Sequence, residues 1–318
     1  MLLRNPNGSH SAAGPAHTDH DPYEPGGTHM TDHTAVPTSI AGYTALVTGG
    51  GSGIGLGTAA RLVRDGAHVT ICGRTEEKLA AAVVELEAVA AAAAAAGGTA
   101  GTARYVVADV TVEEQVAAAV AEAASPRGHL DILFANAGGS FHMGPMATAD
   151  VEAVRSTVDL NLIGTFLCLK HGAPLMAAGA GVGVDGGEAP GGSFIGMSSG
   201  AGAFPHRYLW AYGASKAGID MLCKCAAEEL GHTGLRVNTV QPGIIDDELM
   251  SFITAGGPLL DDYLEGMPVS RVGTVDDVAA AVRYLAGPES TWISGVSFPV
   301  DGGHHLRHGA NYGLLFGE

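Results

Sequence analysis

Positively charged residues are scarce in this sequence. Its 318 residues include 16 Lys and Arg against 33 Asp and Glu, which gives a formal net charge of −17 with neutral histidine. A negative field of this kind repels phosphate backbones and anionic lipid surfaces. The composition therefore argues against nucleic acid or a membrane surface as a partner.

Cysteine is also rare, and long hydrophobic runs are missing. The four cysteines have no framework spacing, at Cys72, Cys168, Cys223 and Cys225. This favours buried thiols in a reducing cytosol over a disulfide scaffold. The Ala-rich run 80–96 is interrupted by Glu85 and Glu87, so it predicts an exposed helix end and not a membrane span. No basic segment followed by an apolar one marks a secretory signal, and we expect a soluble, cytoplasmic protein.

The first 38 residues differ in composition from the rest. They are rich in Gly, Pro, His, Thr and Asp and show no apolar period, which predicts a disordered tail that is dispensable or precedes the true start at Met30. Five histidines lie here at irregular spacing: His10, His17, His20, His29 and His33. Adventitious metal affinity is the expected reading of that spacing, and we predict no metal site.

From Tyr43 onward, short apolar runs alternate with helical stretches. "YTALVT" and "AHVTICG" are typical of buried strands, and helices are predicted over about 112–124 and 150–176. This alternation predicts an α/β domain with a doubly wound, mostly parallel sheet and helices on both faces. We assign the catalytic domain to residues 39–303, followed by a short tail, 304–318, that could wrap around a neighbouring chain.

A glycine-rich loop, "TGGGSGIGLG", joins the first strand to the first helix. A helix N-terminus directs free N–H groups and partial positive charge at whatever lies above it, and glycines let a pyrophosphate approach the backbone. About twenty residues on, the second strand ends at Gly73 and Arg74, where an acidic residue would favour NAD. Because a guanidinium can pair with a 2′-phosphate, we predict a preference for NADP(H), with NAD(H) as the alternative cofactor.

Two tyrosines lie in the segment "SSGAGAFPHRYLWAYGASKAG", residues 198–218. Tyr212 and Lys216 are four residues apart, so they share one helix face, whereas Tyr208 has no lysine at that spacing. A nearby ammonium favours the phenolate, so we expect Lys216 to lower the pKa of Tyr212. Such a pair can exchange a proton with a substrate oxygen.

Taken together, these motifs resemble the short-chain dehydrogenase/reductase family of the compact, 3-oxoacyl-reductase-like type. The resemblance covers about 42–303 and is carried by "TGGGSGIG", "ADV" at 108–110, "NAG" at 136–138, "VDLNLIG" at 158–164, "SS" thirteen residues before a tyrosine, "YGASK", "QPG" at 241–243 and "SGVSFPVDGG". It implies a single-domain Rossmann fold and hydride transfer between nicotinamide C4 and a carbonyl or secondary alcohol. It also implies a homotetramer or a homodimer.

The resemblance also implies residue roles. Tyr212 would be the general acid or base, Lys216 would hold the nicotinamide ribose, Ser199 would bind the reacting oxygen, and Asn161 would hold a water leading to Lys216. Ser198 should point to the opposite face. The residues expected to contact the cofactor are Thr48, Gly49, Gly51, Ser52, Gly53, Ile54, Gly55, Arg74, Asp109, Val110, Asn136, Ala137, Gly138, Tyr212, Lys216, Pro242, Gly243 and Ile245.

The sequence departs from the family pattern at two positions. Ala135 stands where an asparagine is frequent, which removes one bracing hydrogen bond. Asp247 stands where a threonine usually lies near the cofactor, and a carboxylate near phosphates is unfavourable. Either Asp247 points away or this loop binds the cofactor differently.

Substrate choice is assigned to the segment after Gly243, which is predicted to form a helical lid. An apolar pocket is expected, suited to an apolar carbonyl or alcohol such as a 3-oxoacyl thioester or a steroid. Its candidate lining residues are Met250, Phe252, Ile253, Leu259, Leu260 and Tyr263, facing Phe141, His142 and Met143, with Phe204, His206, Tyr208 and Trp210 nearby. The alternatives are a catalytically weak nucleotide-binding scaffold, which predicts a broken catalytic set, and an extended epimerase, which needs more chain after Gly243.

Overall fold

The computed structural model describes residues 38–179 and 191–317. The disordered tail predicted over 1–38 lies almost wholly outside this part of the chain, as does most of the predicted Gly-rich loop 177–192. Among the described residues, no helix combines the length and apolar character needed to cross a membrane.

Strands and helices alternate along the chain, as the sequence predicts. The strands are β1 (Thr44–Thr48), β2 (His68–Gly73), β3 (Thr102–Val107), β4 (Ile132–Ala135), β5 (Ser193–Met197), β6 (Arg236–Pro242), β7 (Ile245–Asp246), β8 (Gly273–Thr274) and β9 (Ser297–Val300). The helices are α1 (Gly53–Arg64), α2 (Glu76–Ala95), α3 (Glu113–Ala124), α4 (Val151–Val158), α5 (Gly164–Ala177), α6 (Gly200–Ala203), α7 (Trp210–Leu230), α8 (Ser251–Thr254), α9 (Pro258–Gly266) and α10 (Val275–Ala286).

Seven strands form one parallel sheet in the order β3-β2-β1-β4-β5-β6-β9. The order reverses between β1 and β4, which is where an open α/β sheet leaves a crevice at the carboxyl ends of its strands. β7 and β8 form a separate two-stranded pair. The predicted doubly wound α/β fold is confirmed.

Helices cover both faces of the sheet because the central strands are apolar on both sides. One core cluster packs α1, α2 and α10 against the sheet, through residues such as Leu62, Leu86 and Val282. A second cluster packs α3, α5 and α7 against the opposite face, through residues such as Val120 and Leu167. These two layers hold the strand ends in place at the site.

Three details differ from the sequence predictions. The helix predicted over 150–176 is divided into α4 and α5 by a π-helical turn, Asp159–Ile163. Thr75 precedes α2 as expected, but its side chain makes no capping hydrogen bond. Three of the cysteines are buried, whereas Cys225 is exposed because it lies two residues beyond Cys223 on α7 and so faces away from the core.

The segment after Gly303 packs against its own chain. His304, Ala310 and Tyr312 are all buried, and Ala310 and Tyr312 belong to a third core cluster with α8 and α9. The described residues 304–317 therefore belong in part to the core of their own chain, and contact with a neighbouring chain stays a prediction.

Candidate active site

A cavity of about 710 Å³ opens at the carboxyl ends of the central strands. That volume is within the usual range for small-molecule and cofactor sites. Most of the predicted cofactor residues lie along it: Gly49, Gly51, Ser52, Gly53, Ile54, Gly55, Arg74, Asp109, Val110, Asn136, Ala137, Gly138, Tyr212, Lys216, Pro242, Gly243 and Ile245. Residues from most of the sequence motifs therefore meet in one place, although they are far apart along the chain.

The glycine loop forms the wall at the N-terminus of α1. A Cβ added at Gly55 would contact Gly49 O and lie 2.6 Å from Asn136 Nδ2, so the helix start packs directly on the loop backbone. Gly53 has a φ of +52°, which disfavours any side chain. The first turn of α1 contains no acidic residue, and Ser52 makes no capping hydrogen bond. The N–H groups there have no side-chain cap, as a site for a pyrophosphate requires.

Thr48 lies behind the loop and not along the cavity. Its Oγ1 accepts hydrogen bonds from the backbone N–H groups of Asn136, at 3.0 Å, and Ala137, at 2.9 Å. Asn136 Nδ2 donates to Thr48 O at 2.9 Å. Thr48 thus joins the ends of β1 and β4, and its assignment as a cofactor contact stays a prediction. A hydroxyl at a strand end can bond to either side, and the sequence does not tell which.

Arg74 and Asp109 lie at the far end of the cavity from Tyr212. The Asp109 carboxylate is held by its own turn, accepting from Thr111 N at 2.9 Å and Thr111 Oγ1 at 2.7 Å. Arg74 is exposed and forms no hydrogen bond or ion pair with any described residue. Its guanidinium is therefore available to a ligand at this end of the cavity. Lys78, the other cation here, pairs with Glu248 at 3.3 Å.

Asp247 lines the cavity and does not point away from it. Its Oδ1 accepts from Met250 N at 2.9 Å, and its Oδ2 lies 3.0 Å from the position that a Cβ would take on Gly53. The carboxylate therefore lies beside the N-terminus of α1, where negative charge is favourable. Of the two alternatives that the sequence left open, pointing away is wrong.

Tyr212 and Lys216 lie on one face of α7, above the end of β5. Lys216 Nζ donates to Met197 O at 2.7 Å and lies 5.3 Å from the centre of the Tyr212 ring. Ser199, at the start of α6, lines the same part of the cavity, and its Oγ accepts from Ala201 N at 3.2 Å. The Ser198 hydroxyl instead donates to Lys216 O at 3.2 Å, so the two serines point in different directions as predicted.

The pKa values of this pair are dominated by burial. Burial lowers the pKa of Lys216 to about 7, and the Asp220 carboxylate opposes that change. Burial raises the pKa of Tyr212 to about 12, while the hydrogen bond from Ser199 lowers it and the charges of Tyr312 and Asp247 add to the rise. The net change in the Tyr212 pKa is upward, opposite to the direction expected from Lys216, because desolvation outweighs the hydrogen bond that lowers it.

Asn161 is fully buried in the π-helical turn and does not line the cavity. Its Nδ2 donates to Gly139 O at 2.7 Å and Thr157 O at 2.9 Å, and its Oδ1 accepts from Gly139 N at 3.0 Å. The side chain ties the loop after β4 to the helix layer. A water-holding role is not visible in these contacts.

The other end of the cavity was predicted only in part. Met143, His206, Met250, Phe252 and Tyr263 line it. The remaining candidates are not among its lining residues: Phe141, His142, Phe204, Tyr208, Trp210, Ile253, Leu259 and Leu260. Ile253 and Leu259 instead form the core between α8 and α9. The lining residues that sequence reasoning did not name include Leu209, Leu249, His304 and Tyr312, because no period or motif marks the segments that carry them.

Comparison with known proteins agrees with this architecture. The family model described as enoyl-(acyl carrier protein) reductase matches residues 49–305. A short-chain type dehydrogenase/reductase structure from Mycobacterium ulcerans is 42% identical, with a TM-score of 0.80, and covers 87% of this chain and 94% of that one.

Two curated relatives are dehydrogenases of small cyclic alcohols. Cis-4-hydroxycyclohexanecarboxylate dehydrogenase of Sinomonas cyclohexanicum is 34% identical over 84% of this chain and 98% of that protein. The 2,5-dichloro-2,5-cyclohexadiene-1,4-diol dehydrogenase LinX of Sphingobium indicum is 32% identical over 83% of this chain and 96% of that protein. Both likenesses extend over nearly the whole length of the relatives.

Proposed function

Because the chain belongs to the short-chain dehydrogenase/reductase family and is therefore a nicotinamide-dependent oxidoreductase, we propose that Tyr212 is its general acid and base. The observation that carries the proposal is the position of Tyr212, which lines the cavity together with Ser199 and has the Lys216 amine 5.3 Å from its ring centre. No residue of the predicted catalytic set is missing, and nothing favours the scaffold alternative.

The nicotinamide cofactor supplies or accepts the hydride. In reduction, Tyr212 Oη donates its proton to the substrate oxygen, and in oxidation it accepts the hydroxyl proton. Its raised pKa keeps that proton bound at neutral pH, as a general acid needs. Ser199 hydrogen-bonds to the same oxygen and orients it. Lys216, held by Met197 O, places its amine beside the ring, where its ammonium form stabilises the phenolate.

The catalytic assignment is tested by removing one hydroxyl. Tyr212→Phe should lower kcat at least about 10²-fold, the usual scale of general acid–base catalysis, while cofactor binding persists. Tyr208→Phe is the matched control, since Tyr208 does not line the cavity, and its kcat should change little. Near-normal turnover by Tyr212→Phe would overturn the assignment.

The proposed substrate is a compact secondary alcohol or the matching ketone. Both relatives named above act on six-membered carbocycles, and the 710 Å³ cavity has to accept the dinucleotide as well as the substrate. This favours a small ring over the 3-oxoacyl thioester or steroid considered from sequence. A panel of cyclic and long-chain alcohols, followed by cofactor absorbance, tests the choice.

NADP(H) is the proposed cofactor, supported by Arg74, which lines the cavity with no described partner. A guanidinium can pair with the 2′-phosphate that NAD(H) lacks. The ratio of kcat/KM for NADP(H) over NAD(H) should exceed one, and Arg74→Gln should lower it about tenfold, the loss of one charge-assisted hydrogen bond. A wild-type preference for NAD(H) would contradict this.

Location and assembly are likewise proposals. The four free cysteines, three of them buried, favour a reducing cytoplasm. A homotetramer or homodimer is expected from the family resemblance, and light scattering on the purified protein would measure its mass in solution.

A further inference from the structure

Four buried ring side chains line the cavity beyond Tyr212: His206, Tyr263, His304 and Tyr312. We refer to them as the polar aromatic cluster. They come from three separate segments, namely the loop before α7, helix α9 and the turns after β9. Their rings pack against one another, with centroids 5.3 Å apart for Tyr263 and His304 and 6.2 Å apart for His206 and Tyr312. The three segments thus bring imidazole nitrogens and phenolic hydroxyls together at one buried part of the cavity wall.

The hydrogen bonds inside the cluster leave one phenolic hydrogen unused, and His304 Nε2 is buried without a partner among the described residues. The hydroxyl oxygens of Tyr263 and Tyr312 are 2.8 Å apart. Either hydroxyl can be the donor in this bond. Because a phenol carries one hydrogen, the hydroxyl that accepts keeps its own O–H free to donate to another group.

The cluster also contains an acceptor. His206 Nδ1 is 3.2 Å from Phe204 O, and since a carbonyl only accepts, Nδ1 carries the hydrogen. Burial lowers the pKa of His206 to about 4, so the ring is neutral at physiological pH. Its Nε2 therefore presents a lone pair, and no described residue donates to it.

The charges around the cluster disfavour an anion. The cationic side chains that line the cavity are Arg74, Lys78 and Lys216, which belong to the cofactor end and the reaction centre. Two carboxylates act on the cluster. Asp301 and, to a smaller extent, Asp262 oppose the lowering of the His304 pKa, and Asp262, which accepts from Asn311 N at 2.8 Å, also acts on His206. A substrate carboxylate here would meet negative charge and a histidine lone pair without a cation to balance it.

We propose that Tyr263 donates to Tyr312, and that His206 Nε2 and the free Tyr312 hydroxyl hydrogen bind a second hydroxyl of the substrate, so that the preferred substrate is a compact diol or hydroxyketone. A hydroxyl both donates and accepts, which matches one free acceptor and one free donor, whereas a carboxylate only accepts. This deepens the proposed function, on which it rests, by naming the group that lies remote from the reacting carbon. The proposal also predicts which of the two relatives this chain resembles in substrate, since one is named for a hydroxy acid and the other for a diol.

Three probe alcohols that share one ring test the proposal: cyclohexane-1,4-diol, 4-hydroxycyclohexanecarboxylate and cyclohexanol. The wild-type kcat/KM should be about tenfold higher for the diol than for cyclohexanol, as expected for added hydrogen bonds, and lowest for the carboxylate. In Tyr312→Phe the ratio of diol to cyclohexanol should fall toward one. Tyr208→Phe, the same change outside the cavity, should keep the wild-type ratio. A better rate with the carboxylate, or an unchanged ratio in Tyr312→Phe, overturns the proposal.

Binding without turnover separates this inference from the proposed function. Calorimetric titration of cyclohexane-1,4-diol into the protein with NADPH, with which an alcohol cannot react, should give a Kd about tenfold lower than that for cyclohexanol. His206→Leu should remove that difference. If the diol binds in this way but is not oxidised with NADP⁺ or NAD⁺, the proposed function fails and the hydroxyl site stands. If the two alcohols bind equally, the hydroxyl site is refuted whatever the turnover.

Discussion

The loop between β1 and α1 depends on glycines, which have no side chains, whereas the reaction centre on α7 depends on side chains that are buried. At Gly55 there is no room for a single additional carbon atom between the helix and the Gly49 backbone. At Lys216, by contrast, a long cationic side chain is only 1% exposed and is held by a backbone carbonyl. Both regions line the same cavity.

The two regions should therefore fail in different ways. The glycine loop presents backbone N–H groups, so its binding energy depends on how closely a ligand and the helix can approach it. The reaction centre depends on the protonation of groups removed from water, so its performance depends on neighbouring charges. Adding atoms to the glycine loop should therefore weaken cofactor binding, and changing a charge at the reaction centre should change the pH dependence of the reaction.

The largest effect is expected from adding a methyl group to the loop. In Gly55→Ala the new Cβ would overlap Gly49 O and Asn136 Nδ2, and the backbone has to shift to relieve it. Overpacking typically costs about 1–3 kcal/mol, which corresponds to a rise in cofactor Kd of up to about 10²-fold. Fluorescence titration with NADPH measures this Kd.

Gly51→Ala is the matched control in the same loop. A Cβ at Gly51 would meet its nearest neighbours, Leu79 Cδ2 and Lys78 Cβ, at 3.6 Å, which is ordinary van der Waals contact. Because Gly51 also lines the cavity, the cofactor Kd of this variant should rise, but by less than in Gly55→Ala. Equal losses in the two variants would show that close approach of helix to loop is not what distinguishes this region.

The sequence predicts the features that lie within a few consecutive residues and misses those that depend on distant segments. The glycine loop and the Tyr212–Lys216 pair are each encoded within a few residues, by a strand-to-helix turn and by one helical turn. The polar aromatic cluster is assembled from segments up to 106 residues apart, His206 to Tyr312, so no local spacing marks it. The direction of the Tyr212 pKa was missed for a related reason, because burial is a property of the whole fold.

A change of charge beside Lys216 should move the pH dependence of the reaction. Asp220 is buried four residues along α7 and raises the pKa of Lys216, which lies at about 7. The proposed role needs the ammonium form, which is lost as pH rises through that pKa. Asp220→Asn lowers the pKa further, so the fall in kcat/KM with rising pH should begin about one pH unit lower. A pH profile from 5 to 9 measures it.

Loss of hydrogen bonds has to be separated from loss of charge in that variant. The Asp220 carboxylate accepts from Thr239 Oγ1 at 2.5 Å and from Gln241 Nε2 at 2.8 Å. Thr239→Val removes the first bond and keeps the charge, so it should lower stability without moving the pH profile. A profile that moves equally in both variants would mean that the network positions Lys216 and that the charge itself matters little.

The smallest effect on cofactor Kd is expected from changing Asp247, a charged side chain beside the glycine loop. Its carboxylate lies beside Gly53 at the N-terminus of α1, where a cofactor phosphate would meet like charge. Asp247→Asn keeps an oxygen that can accept from Met250 N and removes the charge. The cofactor Kd should fall a few-fold at low salt, and the difference should shrink in 0.5 M salt because screening weakens the repulsion.

Asp246→Asn provides the comparison for Asp247. Asp246 is the preceding residue, is exposed, accepts from Thr254 Oγ1 at 2.8 Å and does not line the cavity. The two variants change the net charge equally, so a general effect of the acidic surface would tighten cofactor binding in both. A local effect would appear in Asp247→Asn alone. Weaker binding in that variant would instead mean that the carboxylate helps to hold the cofactor, and that this part of the loop works through its side chains as the reaction centre does.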